Sequence, residues 1–194
     1  MNTNAYFTNI KKRIKLELIK ANESIYVAVA WFTDSSIFKI ICDKARSGVE
    51  VHLMVVDDDI TRSCSIDFTD IEDAGGNLYL INSSLGTLMH NKFCVIDEQV
   101  IITGSYNWSI RAASNHENIT ITENAAALAI TFIDEFIRIK ETYFGAATTK
   151  ALDLSIVIKR FQVIDSLISL DEYENIISHV FKIKQFSLTV EIQS

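Results

Sequence analysis

The chain has 194 residues, of which 48% are hydrophobic and 22% charged, and it contains no proline. This length fits one ordinary domain with at most an appendage, and the composition excludes disordered, collagen-like and proline-rich proteins. The net charge of −7 disfavours tight, extended coating of nucleic acid, which usually needs a basic face. It does not exclude a local basic site.

Apolar runs and cysteines indicate the cellular setting. The longest apolar run, residues 25–32, is well short of the roughly 18 to 20 residues that span a bilayer, and no signal-peptide pattern precedes it. Cys42, Cys64 and Cys94 are widely spaced and odd in number, which predicts reduced thiols rather than a disulfide framework or a zinc site. We therefore expect a cytoplasmic protein without stable membrane association.

The first part of the chain predicts alternating helices and strands. Apolar residues recur at helical spacing over residues 4–21, which predicts an amphipathic helix whose lysines lie on its solvated face. A buried strand over 24–32, a helix over 37–46 with its N-cap among 33–35, and a strand over 49–56 follow. A strand, a helix and a strand of these lengths form a βαβ unit with parallel strands, so the fold class is α/β.

The remaining elements extend this unit to residue 147. They are a short helix over 67–74, strands over 77–81, 89–97, 100–106 and 118–122, and a long helix over 125–144. The apolar face of the long helix would cover the sheet. Residues 148–194 predict a short α+β extension, too short to bury its own core well, which we expect to serve dimerisation, regulation or partner docking.

Four polar side chains between residues 90 and 107 are predicted to converge. If the strands over 89–97 and 100–106 form a hairpin with a two-residue turn, Lys92 lies opposite Ser105 and His90 opposite Asn107. All four side chains then share one face of the sheet. A turn with an odd number of residues would break this alignment.

This combination of side chains suits a phosphate. Lys92, with Ser105 and Asn107 as hydrogen-bond donors, can hold a phosphoryl group whose oxygens gain charge in the transition state. The unprotonated imidazole of His90 can attack phosphorus directly. This chemistry requires no metal ion and no other cofactor.

The spacing of these residues resembles a known signature. The pattern His-x-Lys-x4-Asp-x6-Gly-Ser-x-Asn, filled here by His90, Lys92, Asp97, Gly104, Ser105 and Asn107, closely resembles that of the phospholipase D superfamily. Residues 28–34 resemble the first strand of that superfamily, and Glu117 resembles the acidic position after its motif. The resemblance covers about residues 5–147 and implies a mixed sheet flanked by helices on both faces.

The resemblance also implies a mechanism. One histidine attacks phosphorus to form a phosphohistidine, and a second histidine protonates the leaving oxygen. The motif occurs once in this chain, so a symmetric homodimer would supply the second histidine. The implied site residues are His90 as nucleophile, Lys92, Ser105 and Asn107 on the phosphate, Glu117 orienting the histidine, and Asp97, of opposite parity to His90, in a supporting role.

Three functions fit this interpretation. Because short single-motif members of the superfamily resemble the bacterial Nuc-type endonucleases, the first hypothesis is a metal-independent endonuclease of DNA or RNA. The second is a hydrolase of phospholipid head groups. The third is a partner-binding module in which residues 148–194 recruit a regulatory protein and catalysis is secondary.

Two further segments of the sequence allow alternative interpretations. Adjacent carboxylates at 57–59 are ligand types that suit Mg²⁺ or Ca²⁺, but neighbours in sequence after a strand rarely point at one ion, so a solvated loop is predicted. Trp31 and Phe32 either stack bases at the mouth of the site or pack in the core.

Overall fold

The computed structural model of the protein describes residues 1–82 and 86–145. The chain divides between Thr148 and Thr149. The elements predicted for residues 148–194 lie outside the described residues.

Seven strands of the described part form one sheet. They are β1 (Asn2–Tyr6), β2 (Ser24–Val29), β3 (Glu50–Val56), β4 (Asn77–Ile81), β5 (Lys92–Ile96), β6 (Val100–Gly104) and β7 (Ile119–Glu123). The helices are α1 (Ile10–Lys20), α2 (Ser35–Arg46), α3 (Asp59–Arg62), α4 (Asp70–Asp73) and α5 (Ala126–Phe144), with a short 3₁₀ helix over Arg111–Ser114. In the described segments no helix is both long and apolar enough to cross a membrane.

The sheet is mixed, with the strand order β1-β7-β6-β5-β2-β3-β4. Strands β2 and β3 pair in parallel, as the βαβ pattern predicts, and β4 pairs in parallel with β3. Strand β5 runs antiparallel to both β2 and β6, and β7 runs antiparallel to both β6 and β1. Val29 therefore pairs with Lys92 and Gly104 with Ile119 along one margin of the sheet, here called the upper edge. The opposite margin, where β5 and β6 are joined by a hairpin, is the lower edge.

Helices cover both faces of this sheet. Side chains of β2 alternate between two buried clusters, with Val27 and Val29 in one and Ala28 in the other. The first cluster includes the apolar stripes of α1 and α2, and the second includes that of α5. Burying each large aliphatic side chain contributes about 1.5–3 kcal/mol. The predicted mixed sheet with helices on both faces is confirmed.

The capping of α2 is also as predicted. Asp34 accepts hydrogen bonds from the backbone N–H groups of Ser36 and Ile37, and Lys11 Nζ of α1 lies 2.6 Å from Asp34 Oδ2. Burial of this carboxylate acts to raise its pKa, but the hydrogen bonds from Lys11 and Ser36 outweigh burial and leave the pKa lowered. Asp34 thus joins the start of α2 to α1.

The predicted helix over residues 4–21 is wrong at its start. Residues Asn2–Tyr6 form β1, which pairs with β7 from Asn2 opposite Glu123 to Tyr6 opposite Ile119. The helix begins only at Ile10, after Asn9 with φ of 53°. Strand β1 is almost entirely exposed, so it shows no apolar alternation. Its conformation depends on backbone pairing with a strand more than a hundred residues away, which a local pattern does not reveal.

Candidate active site

The hairpin between β5 and β6 has a three-residue turn, which changes the predicted register. Phe93 pairs with Thr103 and Ile96 with Val100. Asp97 and Glu98 adopt positive φ angles of 51° and 52° in the turn. The extra turn residue shifts the pairing by one position, so the prediction that register alone puts the four polar side chains on one face is wrong.

The polar residues come together at the upper edge for a different reason, which is that both strands end there. Lys92 is the first residue of β5 and Gly104 is the last of β6. His90 and Ser105 therefore lie outside the regular strands, in which side chains alternate between the two faces of the sheet. The Ser105 N–H donates to the Asn118 carbonyl at 3.0 Å, and the Asn118 N–H donates to Ser105 Oγ at 3.1 Å. These bonds attach Ser105 to the segment that leads into β7.

Gly104 permits this attachment because the backbones approach closely. A Cβ atom at residue 104 would lie 2.2 Å from the Asn118 carbonyl oxygen and 2.8 Å from the Ile119 Cα. Both neighbours are backbone atoms and have little freedom to move. Any side chain at residue 104 would therefore displace β7 or Ser105.

Glu117 is held in place by two side chains. Ser105 Oγ donates a hydrogen bond to Glu117 Oε2, and Asn115 Nδ2 donates to Glu117 Oε1 at 3.2 Å. Among the described residues, Glu117 bonds to these groups and not to the His90 ring. Within a single chain, Glu117 therefore does not contact the histidine ring that the resemblance implies it orients.

Lys92 places a partly buried positive charge beside these groups. Its Nζ donates to the His90 carbonyl at 2.7 Å and lies 5.7 Å from the centre of the Trp31 ring. Burial lowers the pKa of Lys92, and the nearby negative charge of Glu117 acts in the opposite direction. Because charges interact more strongly where water is partly excluded, this ammonium is suited to hold an anion.

His90 is exposed and its ring contacts the same tryptophan. The ring centres of His90 and Trp31 are 5.3 Å apart with an interplanar angle of 78°, an edge-to-face contact. Trp31 Nε1 donates to Asp58 Oδ2 at 2.8 Å, and Asp58 Oδ1 accepts from the Thr61 N–H at 3.0 Å. Trp31 is thus a fixed platform for both His90 and Lys92.

These contacts resolve the two alternatives left open by the sequence. Trp31 lies at the site, whereas Phe32 packs in the core against Phe38, Phe68 and Trp108. The residues at 57–59 are not merely a solvated loop, since Asp58 caps α3 and binds Trp31 and Asp57 pairs with Arg62 at 2.8 Å. Within residues 1–82 and 86–145, no three potential ligands are grouped closely enough to hold a metal ion.

Asn107 lies in the loop beside the carboxyl end of β2. The next residue, Trp108, accepts backbone hydrogen bonds from Thr33 and Asp34, which fixes this loop at the upper edge. Asn107 Oδ1 and the Tyr106 hydroxyl are buried without a hydrogen-bond partner among the described residues. Such unpaired buried polar atoms are uncommon in folded proteins and call for a functional or structural explanation.

Asp97 does not lie with the other predicted site residues. It is at the lower edge, five positions along β5 from Lys92, which corresponds to roughly 16 Å at about 3.3 Å per residue. Its carboxylate accepts from the backbone N–H groups of Asn22, Glu23 and Ser24 at 2.8 to 3.1 Å. This position agrees with the supporting role expected for Asp97 from its parity, because the side chain joins the hairpin to the start of β2.

Sequence reasoning missed two residues of the site. Asn115, which binds Glu117, carries no motif signal. Asp58 was considered only as one of three adjacent carboxylates. Its bond to Trp31 crosses between two parallel strands, so only the sheet topology reveals it.

The fold and the site residues identify a family. Residues 14–140 match the family described as cardiolipin synthase, PLD-like domain, and the chain belongs to this phospholipase D-like family. The resemblance inferred from the motif is confirmed.

Individual relatives agree with this assignment. The mitochondrial cardiolipin hydrolase of Xenopus laevis is 31% identical over 132 residues, which cover 68% of this chain and 61% of the frog protein. The chain thus spans about three fifths of the length of that relative.

Two solved structures share the fold. Nuc, a phospholipase D family member from Salmonella typhimurium, has a TM-score of 0.60 at 21% identity, over 71% of this chain and 92% of Nuc. NucT from Helicobacter pylori has a TM-score of 0.58 at 18% identity, over 72% of this chain and 96% of NucT. At these identities the likeness concerns the fold.

Proposed function

We propose that the protein is a phosphodiesterase in which His90 is the nucleophile. The observation that carries this proposal is the shared platform of Trp31, on which an exposed imidazole and a partly buried ammonium lie side by side. The Ser105 hydroxyl and the Glu117 carboxylate lie at the same edge of the sheet. This placement supports the proposal that the imidazole, the ammonium and the Ser105 hydroxyl act on one phosphate.

The proposed reaction has two displacements. Lys92, with Asn107 from the neighbouring loop, holds the phosphoryl oxygens and stabilises their growing charge. The Ser105 hydroxyl, which donates to Glu117 in this structure, turns to donate to a phosphoryl oxygen when substrate binds. A ring nitrogen of His90 forms a bond to phosphorus while the bond to the leaving oxygen breaks, and that oxygen takes a proton from a second histidine. Water then attacks the phosphohistidine, giving up its proton to the second histidine, and releases the phosphate product and free His90.

The second histidine is proposed to be His90 of another copy of the chain. The four histidines include only one with a lysine two positions later, and a two-fold axis places identical side chains opposite each other. The exposure of His90 supports this arrangement, because the ring is accessible to a partner as well as to a substrate.

Nucleic acid is the first substrate class that we propose. The chain is short, carries the motif once, and shares its fold with Nuc and NucT over nearly their whole lengths. An exposed nucleophile at the edge of a sheet is also accessible to a long, bulky phosphodiester. Phospholipid is the second candidate, favoured by the name of a relative with 31% identity, the mitochondrial cardiolipin hydrolase.

The test is hydrolysis by the purified full chain in excess EDTA. Substrates are labelled single-stranded DNA, duplex DNA, RNA and vesicles that contain cardiolipin. We expect one class to be cleaved without metal, and His90→Ala to reduce the rate by about 10⁴-fold or more. His116→Ala is the matched control, because His116 is also exposed and should leave the rate unchanged.

Each part of the proposal has its own contradicting result. Equal rates for His90→Ala and the unmodified chain would refute the nucleophile and favour a partner-binding module. Cleavage by a strict monomer, established from the mass in solution, would refute the shared site. Loss of all cleavage in EDTA with recovery on adding Mg²⁺ would refute metal independence.

A further inference from the structure

One face of α1 carries basic and aliphatic side chains that face away from the core. The buried stripe of the helix consists of Ile10, Ile14 and Leu18. The opposite stripe, here called the outer face of α1, consists of residues at the i, i+3, i+4 and i+7 spacing of one helix surface, namely Lys12, Lys15, Leu16 and Ile19. Leu16 is 43% and Ile19 55% exposed, which is unusual for adjacent large aliphatic residues on one helix face.

The outer face borders a groove that leads toward the candidate active site. The groove has a volume of about 730 Å³ and lies between α1 and the segment around the 3₁₀ helix. Phe7, which is 71% exposed, and Asn115 are among its lining residues. Asn115 donates a hydrogen bond to Glu117, which connects the groove to the candidate active site.

The charge of the outer face is not neutralised within the described residues. Of the three other cations on α1, Lys11 pairs with Asp34, Lys20 pairs with Glu17, and the Arg13 guanidinium lies 4.7 Å from the centre of the Tyr6 ring. Lys12 and Lys15 form no ion pair within the described segments. Two available ammonium groups thus flank two exposed aliphatic side chains, on a chain whose net charge is −7.

We propose that the outer face of α1 docks on an anionic phospholipid surface. Aliphatic side chains enter the boundary between head groups and acyl chains, while lysines on the same helix meet the lipid phosphates. A single short helix with two cations and two large aliphatic residues gives weak, reversible binding rather than anchoring. This proposal departs from the expectation based on net charge, because local charge decides binding within a Debye length of the membrane.

Two other partners fit this face less well. Nucleic acid would pair with Lys12 and Lys15 but would leave Leu16 and Ile19 against a polar backbone, where aliphatic side chains gain little. A second copy meeting this face about a two-fold axis would bring the lysines toward their own counterparts, which is repulsive. The membrane alone uses both the cations and the aliphatic side chains.

The experiment measures co-sedimentation of the full-length His90→Ala chain with lipid vesicles, so that binding is observed without hydrolysis. We expect binding to vesicles of phosphatidylcholine with phosphatidylglycerol and little to phosphatidylcholine alone. Lys12→Gln/Lys15→Gln should weaken the partition by roughly thirtyfold, and Leu16→Ser/Ile19→Ser by at least about tenfold.

The control variant is Lys39→Gln/Leu128→Ser. It removes an exposed lysine from α2 and an exposed leucine from α5, and it should bind as the unmodified chain does. Circular dichroism checks that every variant is folded. Equal vesicle binding by all variants would overturn the proposal.

Two further outcomes would assign the face to another partner. If Lys12→Gln/Lys15→Gln weakens binding to a fluorescent oligonucleotide but not to vesicles, the face binds nucleic acid. If Leu16→Ser/Ile19→Ser converts an oligomer to a monomer, the face binds another copy. Either result overturns the proposal.

The docking proposal is separable from the proposed catalysis. With His90 restored, all of these surface variants should hydrolyse bis(p-nitrophenyl) phosphate, a small soluble phosphodiester, at the unmodified rate. Absence of that hydrolysis in the unmodified chain would count against the proposed function, whereas normal hydrolysis with unchanged vesicle binding in the variants would count against docking alone.

Discussion

The two ends of strand β5 carry residues of one motif but differ in how their polar groups are satisfied. At the lower edge, the Asp97 carboxylate accepts hydrogen bonds from three consecutive backbone N–H groups of the protein itself. At the upper edge, His90 is exposed and Asn107 has a buried oxygen without a partner among the described residues. The polar groups of the lower edge are thus bonded within the protein, whereas the upper edge is where we propose that substrate binds.

This difference shows that fixed spacing in a motif does not mean a shared location. Lys92 begins β5 at the upper edge, where it binds the His90 carbonyl, whereas Asp97 follows the other end of β5 and binds the start of β2. The contrast predicts that variants of the upper edge change the rate with little effect on stability, and that variants of the lower edge do the reverse.

After His90→Ala, the largest expected effect is that of Lys92→Gln. Loss of the positive charge removes stabilisation of the phosphoryl oxygens in the transition state, so kcat/KM should fall roughly 10²- to 10³-fold while the unfolding midpoint stays close to that of the unmodified chain. Steady-state hydrolysis of a soluble phosphodiester and denaturant unfolding measure the two quantities. Lys140→Gln is the control. The Lys140 ammonium also lies over an aromatic ring, that of Tyr79, but Lys140 belongs to α5 and is not one of the candidate site residues. A near-normal rate for Lys92→Gln would remove Lys92 from the site.

Asp97→Ala should have the opposite effect. Removing an acceptor of three backbone N–H groups should lower the free energy of unfolding by about 1–3 kcal/mol, with kcat/KM of the folded protein unchanged. Urea unfolding gives the first quantity, and Asp59→Ala, at an exposed carboxylate outside this network, is the control. A large loss of rate at normal stability would show that Asp97 acts in the chemistry after all.

Trp31→Phe tests the platform. The smaller ring loses the hydrogen bond to Asp58 and part of its contact with Lys92, so we expect kcat/KM to fall about three- to tenfold. Trp108→Phe provides the comparison, because Trp108 is buried in the core against Phe32 and its loss should reduce stability more than rate. If both variants lose stability and keep their kcat/KM, Trp31 contributes only to packing.

The smallest effect expected is a shift in pH dependence caused by Glu117→Gln. Burial lowers the pKa of Lys92 and Glu117 raises it, so removing the carboxylate charge should lower that pKa further. Lys92 then loses its charge at a lower pH, and the alkaline limb of the kcat/KM profile should move to lower pH. Glu123→Gln, at the other end of β7, should leave the limb in place. A limb that moves to higher pH would contradict the assignment of Lys92 to it.

Much of the fold could be predicted because its signals are local. The βαβ unit, the Asp34 cap and the apolar stripe of α5 depend on residues within a few turns of each other, and the structure contains all of them. Strand β1 was mistaken for helix because its partner β7 is remote in sequence and its side chains are exposed.

The candidate site likewise has one part that the sequence predicts and another that only the structure reveals. The sequence by itself determined which residues fill the motif and are proposed to act, because the spacing of His90, Lys92 and Ser105 is a property of the chain. Only the tertiary structure decided where they lie, because one additional residue in the hairpin turn changes the register and moves every side chain of a strand to the other face. The same holds for the bond from Trp31 to Asp58 and for the separation of Asp97 from the site, since both depend on how strands are ordered in the sheet rather than on neighbours in sequence.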